Sequence, residues 1–147
     1  MEIYFSKLLK KWKDFNGTLP MTQWIEGVKD FIFEGEKDEE DYISWKPLKK
    51  EVKSNFEDIE KELNVHLHPD IKALYNCYWF LELAGNYNGH DLVLNLVIPG
   101  VELEKFKHET VLYKEAHNES GEVKLEDYER NSFEIISGNL SKLIGKL

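Results

Sequence analysis

Apolar residues recur at helical spacing at the start of the chain. Tyr4, Phe5, Leu8, Leu9, Trp12 and Phe15 form one stripe, which predicts a helix over residues 3–15. Asn16-Gly17 ends it, since glycine is the usual residue just past a helix C-terminus. From Met21 to Phe33 the pattern fits helix and strand equally. Lys46-Pro47 excludes a central strand at that point, because proline has no N–H for the ladder. Ser54-Asn55-Phe56-Glu57 has the form of a capping box before a helix that buries Phe56, Ile59 and Leu63. Pro69 suits the first turn of the next helix, with Ile71, Leu74, Tyr75 and Tyr78 as its inner stripe.

Near Trp79 the period changes. Trp79 to Leu83 and Asp91 to Ile98 read as strands, joined around the hairpin dipeptide Asn88-Gly89. Leu92, Leu94, Leu96 and Ile98 share one face and Val93 and Val97 the other, so the second strand is expected to be central and covered on both sides. Pro99-Gly100 breaks the chain, and Val101 to Lys107 reads as a short helix. Thr110 to Ala116 and Glu122 to Leu125 read as a second hairpin closed by Asn118-Glu119-Ser120-Gly121, and Phe133 to Ile136 as a further strand. Asn139 can cap a last helix with Leu140, Leu143, Ile144 and Leu147 on one side. Helices first, then strands, then a closing helix argue an α+β fold: a central, mostly antiparallel sheet backed by helices. No repeat, linker or composition shift divides residues 1–147, so one domain is expected.

The formal net charge is −9, and the cations are 18 lysines and one arginine, Arg130. Nucleic-acid binding needs cationic surface for phosphate and arginine for guanine, so that class is disfavoured. An acidic chain is suited to fast capture of a basic partner. The acid is concentrated: Glu34, Glu36, Asp38, Glu39, Glu40 and Asp41 fall within eight residues. The segment Tyr42-Ile43-Ser44-Trp45-Lys46-Pro47 follows at once. The run reads as a solvated loop. Trp45, beside Pro47, reads as a core anchor at its end. Trp12 and Trp79 lie in apolar periodic segments and read as core. Trp24 is the least committed tryptophan and the candidate for a partly exposed contact.

The search for chemistry returns little. Cys77 is the single cysteine, lies in a dense apolar run and reads as buried filler in a reducing compartment. His66 and His68 are two apart, His90, His108 and His117 are scattered, and no zinc spacing is spelled out. There is no phosphate loop and no nucleophile elbow. The N-terminal stretch lacks the form of a signal peptide, and no apolar run approaches the ~18–20 residues of a membrane span. The sequons at Asn16, Asn118 and Asn139 therefore carry no expectation of glycosylation. No catalytic residue, cofactor or metal is expected.

Taken in order, several segments resemble a known family. Trp12, Gly17-Thr18-Leu19-Pro20, the acidic stretch and Tyr42-Ile43-Ser44-Trp45-Lys46-Pro47 resemble the N-terminal half of Syd proteins. Phe56 to Leu63, Pro69-Asp70-Ile71 and Leu74-Tyr75 are similar to the helical signature of the wider SUKH superfamily. Ala84-Gly85, Ser120-Gly121-Glu122-Val123 and Asn139-Leu140-Ser141-Lys142-Leu143 fit as well. The order and spacing of these motifs carry the likeness. The stretch from Pro99 to Gly121 departs from the Syd pattern in being shorter.

The resemblance implies an α+β fold without catalytic activity, and two kinds of job. Many SUKH members are immunity proteins that neutralise a toxin, often a nuclease. Syd itself associates with the SecY translocation channel, where an acidic surface meets basic cytosolic loops. The expectation is a cytoplasmic, protein-binding immunity module that neutralises a basic toxin domain. A SecY-binding regulator at the inner face of the membrane is the alternative. Glu34, Glu36, Asp38, Glu39, Glu40, Asp41 and Trp24 are the expected partner-facing residues.

Overall fold

In a computed structural model of the chain, the structure describes all residues except 88, 94–95, 113–122 and 128–131. Helix α1 spans Glu2–Asn16, and Gly17 closes it in the left-handed conformation (φ 69°), its N–H donating to the Lys13 carbonyl. Strands β1 (Met21–Gln23), β2 (Phe33–Glu34) and β3 (Tyr42–Trp45) form an antiparallel sheet in the order β1-β3-β2. The ambiguous segment 21–33 therefore resolves into a strand, a 3₁₀ turn at Asp30–Ile32 and the start of another strand. Strand β4 (Leu48–Lys49) follows Pro47, then helices α2 (Glu57–Leu63) and α3 (Pro69–Tyr75). Strands β5 (Tyr78–Trp79), β6 (Ala84–Tyr87) and β7 (His90–Val93) precede helix α4 (Glu102–Leu112). Strands β8 (Val123–Asp127) and β9 (Ser132–Ser137) and helix α5 (Leu140–Lys146) complete the chain.

The fold class is α+β as expected. Among the described residues every strand pairing is antiparallel, and the sheet takes the form of four short ladders: β1-β3-β2, β4-β5, β6-β7 and β8-β9. Their shared core runs from Tyr4 and Phe5 of α1 through Trp45, Phe80, Leu83, Val97 and Ile98 to Ile144 of α5. Phe5 packs against Tyr78 and Phe80 at centroid separations of 5.1 and 5.4 Å. Phe56, Tyr75 and Phe106 meet edge to face at 4.8–6.1 Å, which joins α2, α3 and α4. Each such ring, once fully buried, contributes ~1.5–3 kcal/mol.

The local signals at the end of α1 and the starts of α3 and α5 match the structure. Pro69 stands in the first turn of α3, where the His68 ring accepts from the Asp70 N–H at 3.2 Å. The Asn139 side-chain oxygen Oδ1 accepts from the Lys142 N–H at 2.8 Å and caps α5, which buries Leu143 and Ile144.

Pairings between distant segments differ from the expectation. The hairpin around Gly89 joins β6 to β7, and Trp79 instead pairs with Leu48. Strand β7 spans His90–Val93 and among the described residues pairs with β6 alone, and Val93 is 77% exposed, so this part of the expected central strand is covered on one face only; Leu94 and Asn95 lie outside the described residues. Phe80 meets Val97 in a single bridge. Thr110 to Leu112 belong to α4, and among the described residues β8 pairs with β9. The rest of that expected strand, and its closing turn at Asn118–Gly121, lie outside the described residues. Tyr78 is a strand residue, because α3 ends at Tyr75. Phe15 is 81% exposed and Trp12 only half-buried, because the C-terminal half of α1 runs beyond the core. The capping box does not form. Asn55 accepts from the Glu57 N–H at 3.0 Å, while the Ser54 hydroxyl is engaged elsewhere.

Candidate functional site

The acidic run forms the turn between β2 and β3, and a network of short bonds gives it a defined shape. The Asp38 carboxylate accepts from the backbone N–H of Glu40 at 2.9 Å and of Tyr42 at 2.8 Å. The Asp38 N–H donates to the Tyr42 carbonyl at 2.9 Å, and the Asp41 N–H donates to the Asp38 carbonyl at 3.2 Å. Asp41 has φ 62°, a left-handed conformation that aspartate tolerates better than most residues. At the base, Trp45 is completely buried, and its backbone N–H donates to the Pro20 carbonyl at 2.9 Å. The anchor read from the sequence thus holds the C-terminal stem of the loop, by burial and by pairing with Phe33.

Trp24 lies just beyond β1 and joins this corner. Its N–H donates to the Asp41 carbonyl at 2.8 Å, and its ring is 38% exposed. Lys37 reaches across: its ammonium lies 4.6 Å from the Trp24 ring centroid and 2.7 Å from Asp41 Oδ1. Glu34 turns the other way and pairs with Lys46.

The seven expected partner-facing residues therefore have different duties. Glu36, Glu39 and Glu40 are exposed and make no ion pair among the described residues. Asp38 shapes the loop, Asp41 is bound to Lys37, and Glu34 to Lys46. Sequence reading did not separate these roles. It also passed over Lys37, the one cation inside the run, whose i,i+4 spacing to Asp41 was the available signal.

A second cluster had no signal in the sequence. Lys50 follows β4 in a run of charged residues, yet its side chain is wholly inaccessible. Its ammonium donates to Ser54 Oγ at 2.6 Å, lies 3.7 Å from Glu102 Oε1 and sits 3.7 Å above the Trp79 ring centroid. Ser54 in turn donates to Glu102 Oε1 at 3.2 Å, and Glu102 Oε2 accepts from the Gly100 N–H at 3.2 Å. Burial pushes the Lys50 pKa down, and the nearby Glu102 works against that shift. The cluster ties β4 to the start of α4. It also leaves Trp79 only partly covered, short of the core position expected for it.

The remaining candidates are structural. Cys77 is half-buried, its thiol donates to the Leu74 carbonyl at 3.0 Å, and burial raises its pKa. Such a thiol is a poor nucleophile at neutral pH. His68 caps a helix and His66 is exposed. Among the described residues no group of His, Cys, Asp and Glu is arranged to hold a metal ion, and no helix is long and apolar enough to cross a membrane.

An acidic hairpin on a buried tryptophan stem is what this chain offers at its surface, and comparison with known proteins gives it a family. Residues 1–110 match the family model described as Syd protein (SUKH-2). The chain belongs to the Syd family. That match takes in α1, the acidic hairpin, the buried Trp45 and the start of α4. Protein Syd of Idiomarina loihiensis is 28% identical over 94 residues, which cover 64% of this chain and 50% of that protein. Protein Syd of Photobacterium profundum is 25% identical over 91 residues, covering 62% and 48%. A shorter match to Protein Syd of Pseudoalteromonas atlantica is 43% identical over 37 residues. This Syd-family chain spans about half the length of the curated relatives just named with the longer matches.

Proposed function

We propose that this chain is a non-enzymatic, cytoplasmic protein-binding module whose acidic hairpin docks onto lysine- and arginine-rich cytosolic loops of the SecY channel. The carrying observation is the exposed trio Glu36, Glu39 and Glu40, without an ion pair among the described residues, on a loop held in shape by Asp38 and anchored by Trp45. A preformed loop loses less conformational freedom on binding than a free one. Cytoplasmic loops of membrane proteins carry an excess of lysine and arginine, the charge this surface attracts. Membership of the Syd family supports the channel over a toxin domain as the basic partner. Trp24 completes the surface with an aromatic face next to the acid.

The test is stopped-flow association with detergent-solubilised SecY complex from the native host. Replacing Glu36, Glu39 and Glu40 together by glutamine leaves the loop bonds of Asp38 in place. The triple variant should associate about tenfold more slowly at low salt, within the range by which charge steering moves on-rates. Its salt dependence should flatten, since screening acts over about 8 Å at physiological ionic strength. Equal rates and equal salt slopes for variant and wild type would show the hairpin to be a solvated loop only. Capture of a basic toxin domain from that host, with the channel left unbound, would return the reading to immunity.

A further inference from the structure

The overhang of α1 creates a surface of the opposite kind. Leu8, Trp12 and Phe15 follow one another at spacings of four and three, so they line one ridge of the helix. From Leu8, which packs against the core, outward to Phe15, this ridge faces β6 across a groove of about 440 Å³. The Tyr4 hydroxyl sets the width at the inner end: it donates to the Ala84 carbonyl at 2.7 Å and accepts from the Ala84 N–H at 2.9 Å. Gly85 forms the floor. A Cβ there would come within 2.9 Å of Leu147 Cβ, so a side chain would disturb that packing. Phe15 is 81% exposed, the largest exposure of any aromatic ring among the described residues.

The groove is also cationic at its rim. Lys7 and Lys11 line it, and neither makes an ion pair within 4 Å among the described residues, whereas Lys10 on the outer face is paired with Asp14. The acidic side chain in the wall is Glu82, half-buried; burial raises its pKa and the charge of Lys11 works against that shift. In a chain of net charge −9, Lys7 and Lys11 thus stand, without an ion pair among the described residues, beside the ridge that ends in the exposed Phe15.

We infer that the groove between α1 and β6 is a second docking surface, which takes an amphipathic helix of another protein whose apolar stripe is flanked by carboxylates. The apolar stripe lies on Leu8, Trp12 and Phe15, and the carboxylates meet Lys7 and Lys11. A helical ridge with charges on its flank is the arrangement by which one helix receives another. The concave shape favours a helix over a flat bilayer. A second copy of this chain is disfavoured, because the acidic helix α2 already spends Ile59 in its own core. The surface is separate from the acidic hairpin and asks for the opposite charge.

The probe is a fluorescein-labelled, stapled peptide of about 18 residues, long enough to hold helix. Leucines stand at every third or fourth position, with glutamates on both flanks. A control peptide carries lysines in place of the glutamates. Anisotropy titration of the full chain at low salt should give saturable binding of the glutamate peptide. Phe15→Glu combined with Lys7→Glu and Lys11→Glu should weaken it at least about tenfold, since an aromatic anchor and both flanking charges are lost together. All three positions are exposed or peripheral, and circular dichroism should show the fold retained. Glu36, Glu39 and Glu40→Gln should leave this binding unchanged, which separates the groove from the hairpin. The inference fails if wild type shows no saturable binding, if the groove variant binds equally well, or if the lysine peptide binds as tightly. It also fails if the groove variant loses co-sedimentation with phosphatidylglycerol vesicles, or self-association in the ultracentrifuge, while peptide binding persists.

Discussion

Trp45→Ala is expected to lower the stability of the chain by ~3–5 kcal/mol, the usual cost of truncating a buried aromatic ring. For a chain of this size that corresponds to a fall in melting temperature of roughly 10 °C or more. The ring is fully buried in the core shared by α1, α2, α3 and α5, and its backbone pairs within the sheet of β1, β2 and β3. One detail sharpens the expectation. The buried indole N–H of Trp45 finds no acceptor among the described residues. A buried donor without a partner costs ~1–3 kcal/mol, so the native side chain does not realise the full gain of its burial. Trp45→Phe removes that donor and keeps most of the apolar volume. It should therefore lose well under half of what Trp45→Ala loses, as read from urea midpoints of the two variants beside wild type. A melting temperature within a degree or two of wild type for Trp45→Ala would show that Trp45 is not the anchor. A Phe variant as unstable as the Ala variant would show that the indole N–H is bonded after all.

What could be read from the sequence follows from the range of each signal. The end of α1 at Gly17, the start of α3 at Pro69 and the cap at Asn139 depend on bonds between neighbours, and these were legible. Trp45 was legible as an anchor because Pro47 pins the chain beside it. The exposure of the acidic run followed from charge density alone. The division of labour within it did not. Whether Asp38 shapes a turn or meets a partner depends on where Tyr42 returns, which is set by pairing with β1. Phe15 shares the stripe of Tyr4 and Phe5 yet is exposed, because periodicity reports which face a residue occupies, and not whether anything lies opposite. Ser54 looked like a cap because the pattern was local, while its true partners, Lys50 and Glu102, are joined only by the fold. Strand partners were misassigned for the same reason: alternation marks a strand and is silent about its neighbour.

Lys50 is the strongest case of a residue that only the fold explains, and it carries the second large expected effect. Lys50→Met should destabilise the chain by about 2–3 kcal/mol, somewhat below the ~3–5 kcal/mol of breaking a fully buried pair, because Glu102 keeps some contact with solvent. The loss comes from the carboxylate and hydroxyl left behind, since the methionine itself fills the space over Trp79. Adding Glu102→Gln to Lys50→Met removes the stranded charge and should recover most of the stability. If Lys50→Met alone is as stable as wild type, the ammonium is not holding Glu102. The pH dependence gives an independent check. Burial lowers the folded-state pKa of Lys50 below its usual 10.5, so the unfolded chain binds that proton more tightly. Between the lowered value and 10.5 the unfolded state carries more protons, and the stability of wild type rises with pH. Below the lowered value both states are charged and the contribution is constant. The gap between wild type and Lys50→Met should therefore widen as pH climbs through the alkaline range toward 10.5. A gap that narrows over the same range would mean that the ammonium is stabilised by Glu102 and the Trp79 ring more than burial penalises it.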